Sequence, residues 1–223
     1  MTGTTSGRAL GAWLLAAVAV LGPAGCSADE EPKPDPAQAV QASYRSYAGA
    51  VAAKDGETSA GLVSDTTLDY YSGLRDLALT ADRATLSEQR VVDQLAVLSM
   101  RANIPVGTLR TAEPRTVVAA AVQHQVISGG GAGAAGLEDV TVDGDEATAK
   151  LGVAGGSQQV PMRFHREDGT WKVDLTALLI PAEDALGTAL QQQKLTSEAL
   201  LTQVMTTRVG AAKARQLWTP LGR

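Results

Sequence analysis

The chain has 223 residues, of which 44% are apolar and 19% charged, a balance typical of a globular protein rather than a disordered one. Its formal net charge of −5 argues against nucleic acid as a partner, since nucleic-acid binding requires a basic surface. With three Trp, four Tyr and one Phe, the chain must build its core largely from Ala, Val and Leu.

The first 25 residues have the pattern of an export signal. Arg8 and the terminal amine supply positive charge, and the apolar segment Ala9–Ala24 follows. This segment is shorter than the roughly 20 residues that a membrane-spanning helix needs. It ends in small residues, as cleaved signals do. The sequence therefore predicts a signal peptide over residues 1–25.

The end of this segment resembles the lipobox of bacterial lipoproteins. Ala24, Gly25 and Cys26 match the motif, whereas Pro23 stands where Leu is most common. The resemblance implies that a diacylglyceryl group is attached to the Cys26 sulfur. The protein would then be anchored to the cell membrane and face outside the cytoplasm. The alternative is an ordinary signal peptide followed by an incidental cysteine. As the only cysteine in the chain, Cys26 cannot form an internal disulfide.

Residues 26–36 are predicted to form a lipidated cysteine and a tether, because the prolines before Pro36 favour an extended spacer. The main domain is expected over residues 37–180 and begins with several helices. Apolar residues at helical spacing predict helices over about 37–53, 57–63, 65–79, 86–104 and 114–127. Asp65 or Thr66 is the expected cap of the third helix. Thr85 and Glu88 fit a capping box that opens the fourth.

After the glycine-rich connector Ser128–Gly136, the apolar period changes from 3.6 to 2 residues. Four strands are predicted, the last of them carrying Leu175 as an inward residue. They are separated by turns at Asp143–Asp145, Gly155–Ser157 and Asp168–Gly169. An antiparallel meander with one apolar face needs a cover, and the preceding helices can supply it. The predicted fold class is therefore α+β.

The segment Phe-His-Arg-Glu-Asp-Gly-Thr-Trp-Lys-Val-Asp-Leu, residues 164–175, resembles the late hairpin of NTF2-like (cystatin-like) α+β domains. The resemblance implies N-terminal helices packed into the concave side of a curved four-stranded antiparallel sheet, and it extends over about Ala37–Leu179. Three features depart from the family pattern: a long helical part between Ala84 and Ile127, the lack of an early strand among the helices, and a helical tail.

That tail, residues 181–223, is predicted as a C-terminal helical extension. One helix is expected from Pro181 to Gln193, and a second from Thr196 or Ser197 to about Trp218. No acidic residue follows Glu198, so the second helix has two interpretations. Its basic residues could bind an anionic membrane surface, or its apolar stripe could pack on the domain.

The candidate pocket-lining residues are the aromatic and apolar side chains expected on the inner faces of the first and third helices and of the last strands. They are Tyr44, Tyr47, Tyr71, Met162, Phe164 and Trp171. Core packing is the competing interpretation of each. Catalytic alternatives are the two histidines, His124 and His165, and Asp69 with Tyr70 or Tyr71. None belongs to a recognisable catalytic or metal-binding motif, so no cofactor and no metal are expected.

The sequence thus favours a lipid-anchored cell-envelope protein whose domain binds an unidentified protein or small-molecule ligand without catalysis. Its partners would be the membrane, through the lipid on Cys26, and that ligand, but not nucleic acid. Two alternatives remain. One is a pocket enzyme of the isomerase, dehydratase or hydrolase type on the same fold. The other is a structural envelope component that acts through helix contacts.

Overall fold

The structure is a computed structural model that describes residues 35–128, 136–152 and 159–222. The predicted signal peptide, Cys26, nearly all of the tether, most of the glycine-rich connector and the turn at Gly155–Ser157 lie outside these residues. Within the described ranges, no helix has the length and apolar character needed to cross a membrane.

Helices make up most of the described chain. The helices are α1 (Pro36–Ala52), α2 (Gly56–Gly61), α3 (Asp65–Thr80), α4 (Arg83–Ser87), α5 (Val91–Asn103), α6 (Val106–Thr111), α7 (Pro114–Gln123), α8 (Leu179–Gln193), α9 (Ser197–Val209) and α10 (Ala211–Gln216). The strands are β1 (Leu137–Asp143), β2 (Glu146–Gly152), β3 (Gln159–Glu167) and β4 (Thr170–Asp174). A 3₁₀ turn, Leu175–Leu178, joins β4 to α8, so Leu175 lies beyond the strand in which it was predicted. Helix α6 was not predicted.

Short polar side chains begin several of these helices. A carboxylate oxygen of Asp35 accepts a hydrogen bond from the Ala37 amide at 2.9 Å, and Pro36 occupies the first turn of α1, where its missing N–H is harmless. The cap of α3 is Ser64, whose hydroxyl accepts from the Thr67 amide at 3.3 Å. The prediction of Asp65 or Thr66 as this cap was wrong, because both residues already lie in the first turn.

The predicted capping box of Thr85 and Glu88 was also wrong. Asp82 caps a separate short helix, α4, by accepting from the Thr85 amide at 2.9 Å. Helix α5 starts after it and has no cap from its own N-cap residue, Arg90. Instead, the carboxylate of Glu183 on α8 accepts from the amides of Val91 and Val92, at 3.2 and 2.9 Å. A distant carboxylate therefore performs the function that the sequence pattern assigned to a local motif.

The four strands form one antiparallel sheet in the order β1-β2-β3-β4, which confirms the predicted α+β class and the meander. Ala149 lies opposite Met162, and Phe164 lies opposite both Ala147 and Val173. Gly144 and Gly169 form the two described hairpin turns with φ of 59° and 75°, values that glycine adopts without a steric penalty. A register shift interrupts β1 between Glu138 and Thr141.

One face of the sheet is covered by helices. Helix α1 contacts β1 and β4, and its Ser43 hydroxyl donates to the Trp171 carbonyl at 2.6 Å. Val63, between α2 and α3, forms a parallel bridge with Val173 on the outer edge of β4. The segment that the sequence assigned entirely to helices thus contributes a single-residue strand, which is too short to produce an alternating pattern.

The C-terminal helices join the same core. Leu201, Met205 and Trp218 are buried in one cluster with the sheet residue Phe164. Gly210, with φ of 83°, separates α9 from α10, so the single helix predicted to Trp218 is in fact two. Within the range 34–223, the described residues form one compact unit, and the described core lies wholly within it. This part of the chain therefore carries the hydrophobic core that it needs to fold by itself.

A buried arginine connects the C-terminal tail to helices α3 and α5 by hydrogen bonds. Arg101 on α5 is 5% exposed and has no carboxylate partner among the described residues. Its guanidinium donates to the carbonyls of Leu77, Ala78 and Ala81 at the end of α3 and to that of Leu217, at distances from 2.5 to 2.9 Å. Burial lowers the pKa of Arg101 to about 10, so it stays charged at neutral pH.

A second close contact joins α2 to α7. Gly56, the first residue of α2, lies so near α7 that an added Cβ would stand 2.1 Å from the Ala119 carbonyl oxygen. A side chain therefore has no room at this crossing.

Candidate functional site

A cavity of about 870 Å³ lies between the helices and the inner face of the sheet. Helices α1, α3, α5, α8 and α9, the segment after α7 and the strands β2 and β3 contribute its walls. Its described lining residues are mostly apolar: Ala48, Val51, Ala52, Val92, Leu95, Ala96, Val126, Ile127, Leu151, Met162, Leu175, Leu178, Leu179, Ala182 and Val209. Its size falls within the roughly 300–1,000 Å³ that ligand pockets occupy.

Four tyrosines from two helices supply the aromatic part of the lining. Tyr44 and Tyr47 come from α1, and Tyr70 and Tyr71 from α3. Burial raises the pKa of each phenol above its ordinary value. The phenols are therefore neutral at physiological pH. The Tyr70 and Tyr71 rings meet edge to face, with centroids 5.3 Å apart.

A polar network fixes the position of Tyr70. Its hydroxyl donates to Asp93 Oδ1 at 2.6 Å, and the Arg90 guanidinium donates to both oxygens of the same carboxylate at 2.7 and 3.1 Å. Burial and the hydrogen bond to Asp93 both raise the pKa of Tyr70. The network ties α3 to α5 at the cavity wall. The Asp93 carboxylate already accepts hydrogen bonds from Tyr70 and Arg90. We therefore assign it the role of holding the Tyr70 ring in position.

The candidate residues predicted from the sequence divide into two groups. Tyr44, Tyr47, Tyr71 and Met162 lie together in the cavity lining. Phe164 and Trp171 are not among its described residues and are buried at 0% and 6% exposure. The strand register explains the difference for Phe164: two residues beyond Met162, it lies opposite Ala147 and Val173 and fills the core there.

Four polar residues and one alanine make up the exposed part of the described lining, which we call the opening of the cavity. The exposed members of its described lining are Asn103, Gln125, Ser128, Arg208 and the small Ala52. Sequence patterns did not single out these positions, because they lie at the ends of α5, α7, α9 and α1 and come together only in the fold. The one available signal was the position of Asn103, Gln125 and Ser128 just before or just after a predicted helix end.

The catalytic alternatives are dispersed. His124 lines the cavity, whereas Asp69 is exposed on α3 and outside the described lining. His165 Nε2 lies 3.4 Å from Oδ2 of the fully buried Asp174, which Arg163 also approaches at 3.5 Å. Asp174 accepts hydrogen bonds from the amide and hydroxyl of Thr176 as well, so this cluster holds the end of β4 in place. Within the described ranges, no three His, Cys, Asp or Glu residues are grouped as a metal site would require.

No family model, curated protein or solved structure matches the chain. The resemblance of residues 164–175 to the NTF2-like hairpin therefore stays a prediction.

The geometry of the cavity is suited to enclosing a molecule. Its inner walls offer apolar area and neutral phenol donors, and its opening offers amide, hydroxyl and guanidinium donors. Such a division between apolar walls and a few polar groups is typical of sites that bind small organic molecules.

Proposed function

We propose that the chain is a lipid-anchored cell-envelope protein whose α+β domain binds a small, largely apolar ligand in the cavity. The observation that carries the ligand part is the cavity of about 870 Å³ itself. If the protein were a purely structural envelope component, side chains would be expected to fill this space. The cavity is instead open, which favours ligand binding. The anchoring part rests on Ala24, Gly25 and Cys26 in the sequence.

The chemistry of the lining favours binding over the enzyme alternative. The described lining contains one imidazole, His124, and no carboxylate with which it could form an acid–base pair. The tyrosines are protonated at neutral pH, and burial raises the pKa of Tyr47 and Tyr71 further. Tyr70 already donates to Asp93. Tyr47 and Tyr71 can donate hydrogen bonds to a ligand, and the apolar walls can exclude water from it.

Filling the cavity tests the ligand proposal. Ala96, a half-buried lining residue on α5, can be replaced with Trp in the chain from Ser27 onward. We expect the wild type to bind the neutral apolar dye N-phenyl-1-naphthylamine with increased fluorescence. Ala96→Trp should weaken this binding about tenfold or more, because the indole occupies the ligand volume.

Ala185→Trp is the matched control, since Ala185 is exposed on α8 and outside the described lining. Circular dichroism should show both variants folded. Dye binding that is absent in the wild type, or equal in both variants, would refute the ligand proposal.

Anchoring is tested at Cys26. In a bacterial host that processes lipoproteins, we expect the full chain to fractionate with membranes and Cys26→Ala to move to the soluble or secreted fraction, because the variant has no sulfur to acylate. Several acyl chains, each contributing about 0.8 kcal/mol per buried CH₂, make anchoring stable. If Cys26→Ala stays in the membrane fraction after a carbonate wash, the anchor proposal is wrong.

A further inference from the structure

The cavity lining is depleted of acidic residues. The chain contains 24 Asp and Glu residues, yet none of those that the structure describes lies in the lining. Two carboxylates on the surrounding helices are already bound: Asp93 pairs with Arg90, and Glu183 caps the N-terminus of α5. Although the protein is acidic, the described cavity lining has no negatively charged side chain. This favours a ligand that is not cationic.

A cation lies at the opening of the same cavity. Arg208, in the last turn of α9, is the one Lys or Arg among the described lining residues. Its side chain makes no hydrogen bond or ion pair with any residue in the described ranges, which is also true of the exposed Arg45 and Arg215, but of these three only Arg208 lies in the described lining. A guanidinium without a partner can bind an anionic group at little cost, because no existing pair has to be broken.

The polar and apolar parts of the lining differ in their exposure. Asn103, Gln125 and Ser128 join Arg208 at the exposed opening. Leu151, Met162 and Leu175, all buried, form part of the interior. A molecule that satisfies both regions has a polar head at one end and a hydrocarbon body at the other.

From these three observations we infer that the ligand is an anionic amphiphile with a single long hydrocarbon chain. Its carboxylate or phosphate head pairs with Arg208, and its chain fills the apolar interior. This inference rests on the proposed function, because it names the class of ligand that the cavity takes. Burial of the chain provides most of the affinity, and Arg208 provides the preference for a negative head.

Probes that share one hydrocarbon chain and differ in head charge test the inference. Oleate, oleyl phosphate, oleyl alcohol and oleylamine would each displace N-phenyl-1-naphthylamine from the chain beginning at Ser27, below their aggregation concentrations. We expect oleate or oleyl phosphate to bind about fivefold more tightly than the alcohol, as an exposed ion pair allows, and oleylamine to bind most weakly. The order of the two anions identifies the head group.

Variants assign the preference to one side chain. Arg208→Gln should weaken binding of the preferred anion about fivefold and leave binding of the alcohol unchanged. Arg215→Gln, at an exposed position on α10 outside the described lining, should change neither. Equal affinities for anion and alcohol, or an anion preference that survives in Arg208→Gln, would overturn the inference while dye binding in the cavity still stands. Failure of the wild type to bind the dye would instead refute the proposed function.

Discussion

Replacing Arg101 with Met is expected to destabilise the domain by about 2–4 kcal/mol, because buried carbonyl oxygens lose a charged hydrogen-bond donor. The substitution preserves much of the side chain's volume but removes the hydrogen bonds to four carbonyls. The Leu77 and Ala78 carbonyls keep a backbone amide donor. The Ala81 and Leu217 carbonyls lose the guanidinium as their donor. Each buried carbonyl that loses its partner costs about 1–3 kcal/mol, less where water can replace the guanidinium. Urea unfolding followed by circular dichroism measures the change.

Two further variants separate charge from geometry. Arg101→Lys keeps the positive charge, yet a single ammonium cannot reach four carbonyls on two segments, so an intermediate loss of stability is expected. Arg110→Met removes an exposed guanidinium that donates once, at 3.2 Å, to the Leu221 carbonyl. It should lower stability by less than about 1 kcal/mol. Equal stability of Arg101→Met and Arg110→Met would contradict the structural role given to Arg101.

Gly56→Ala should destabilise the domain by about 3 kcal/mol, although alanine is the better helix former. The new Cβ would stand 2.1 Å from the Ala119 carbonyl oxygen and 2.7 Å from its carbonyl carbon, both backbone atoms that cannot rotate away. Helices α2 and α7 must therefore separate. The helix-propensity gain of about 1 kcal/mol is smaller than the 1–3 kcal/mol or more that overpacking costs, so the net sign is destabilising. Thermal unfolding gives the result.

Gly73→Ala is the control for this prediction. Gly73 lies inside α3, where an added Cβ meets no atom within 4 Å. At Gly73 the gain in helix propensity is not offset by a steric clash, so Gly73→Ala should stabilise the domain by about 0.5–1 kcal/mol. If Gly56→Ala is as stable as Gly73→Ala, the close crossing of α2 and α7 is wrong.

The sequence predicted the sheet better than it predicted the helix ends. Alternating residues such as Ala147, Ala149 and Leu151, and turns at Gly144 and Gly169, are local signals for local structure. The start of α5 was placed wrongly because its cap, Glu183, is 92 positions away from Val91 in the chain. No local pattern records such a partner.

The same reasoning applies to the candidate site. The helical spacing of Tyr44 and Tyr47 places both on one face of α1, and the strand alternation places Met162 on the inner face of the sheet. Arg208 could not be assigned to the site from the sequence, because the pattern of its helix was compatible both with packing on the domain and with binding to a membrane surface. Its place at the opening depends on the tertiary packing of α9 against α5.

The contacts of Arg101 and Glu183 also limit when the domain can be completed during synthesis. The amides at the start of α5 gain their acceptor only when Glu183 on α8 has been synthesised. The Arg101 guanidinium gains its last acceptor only when Leu217 has been synthesised. A nascent chain that stops before these residues leaves the first amides of α5 without the Glu183 carboxylate and leaves Arg101 without one of its four acceptors, the Leu217 carbonyl. The complete set of native contacts at both ends of α5 therefore forms only after residue 217 has been synthesised.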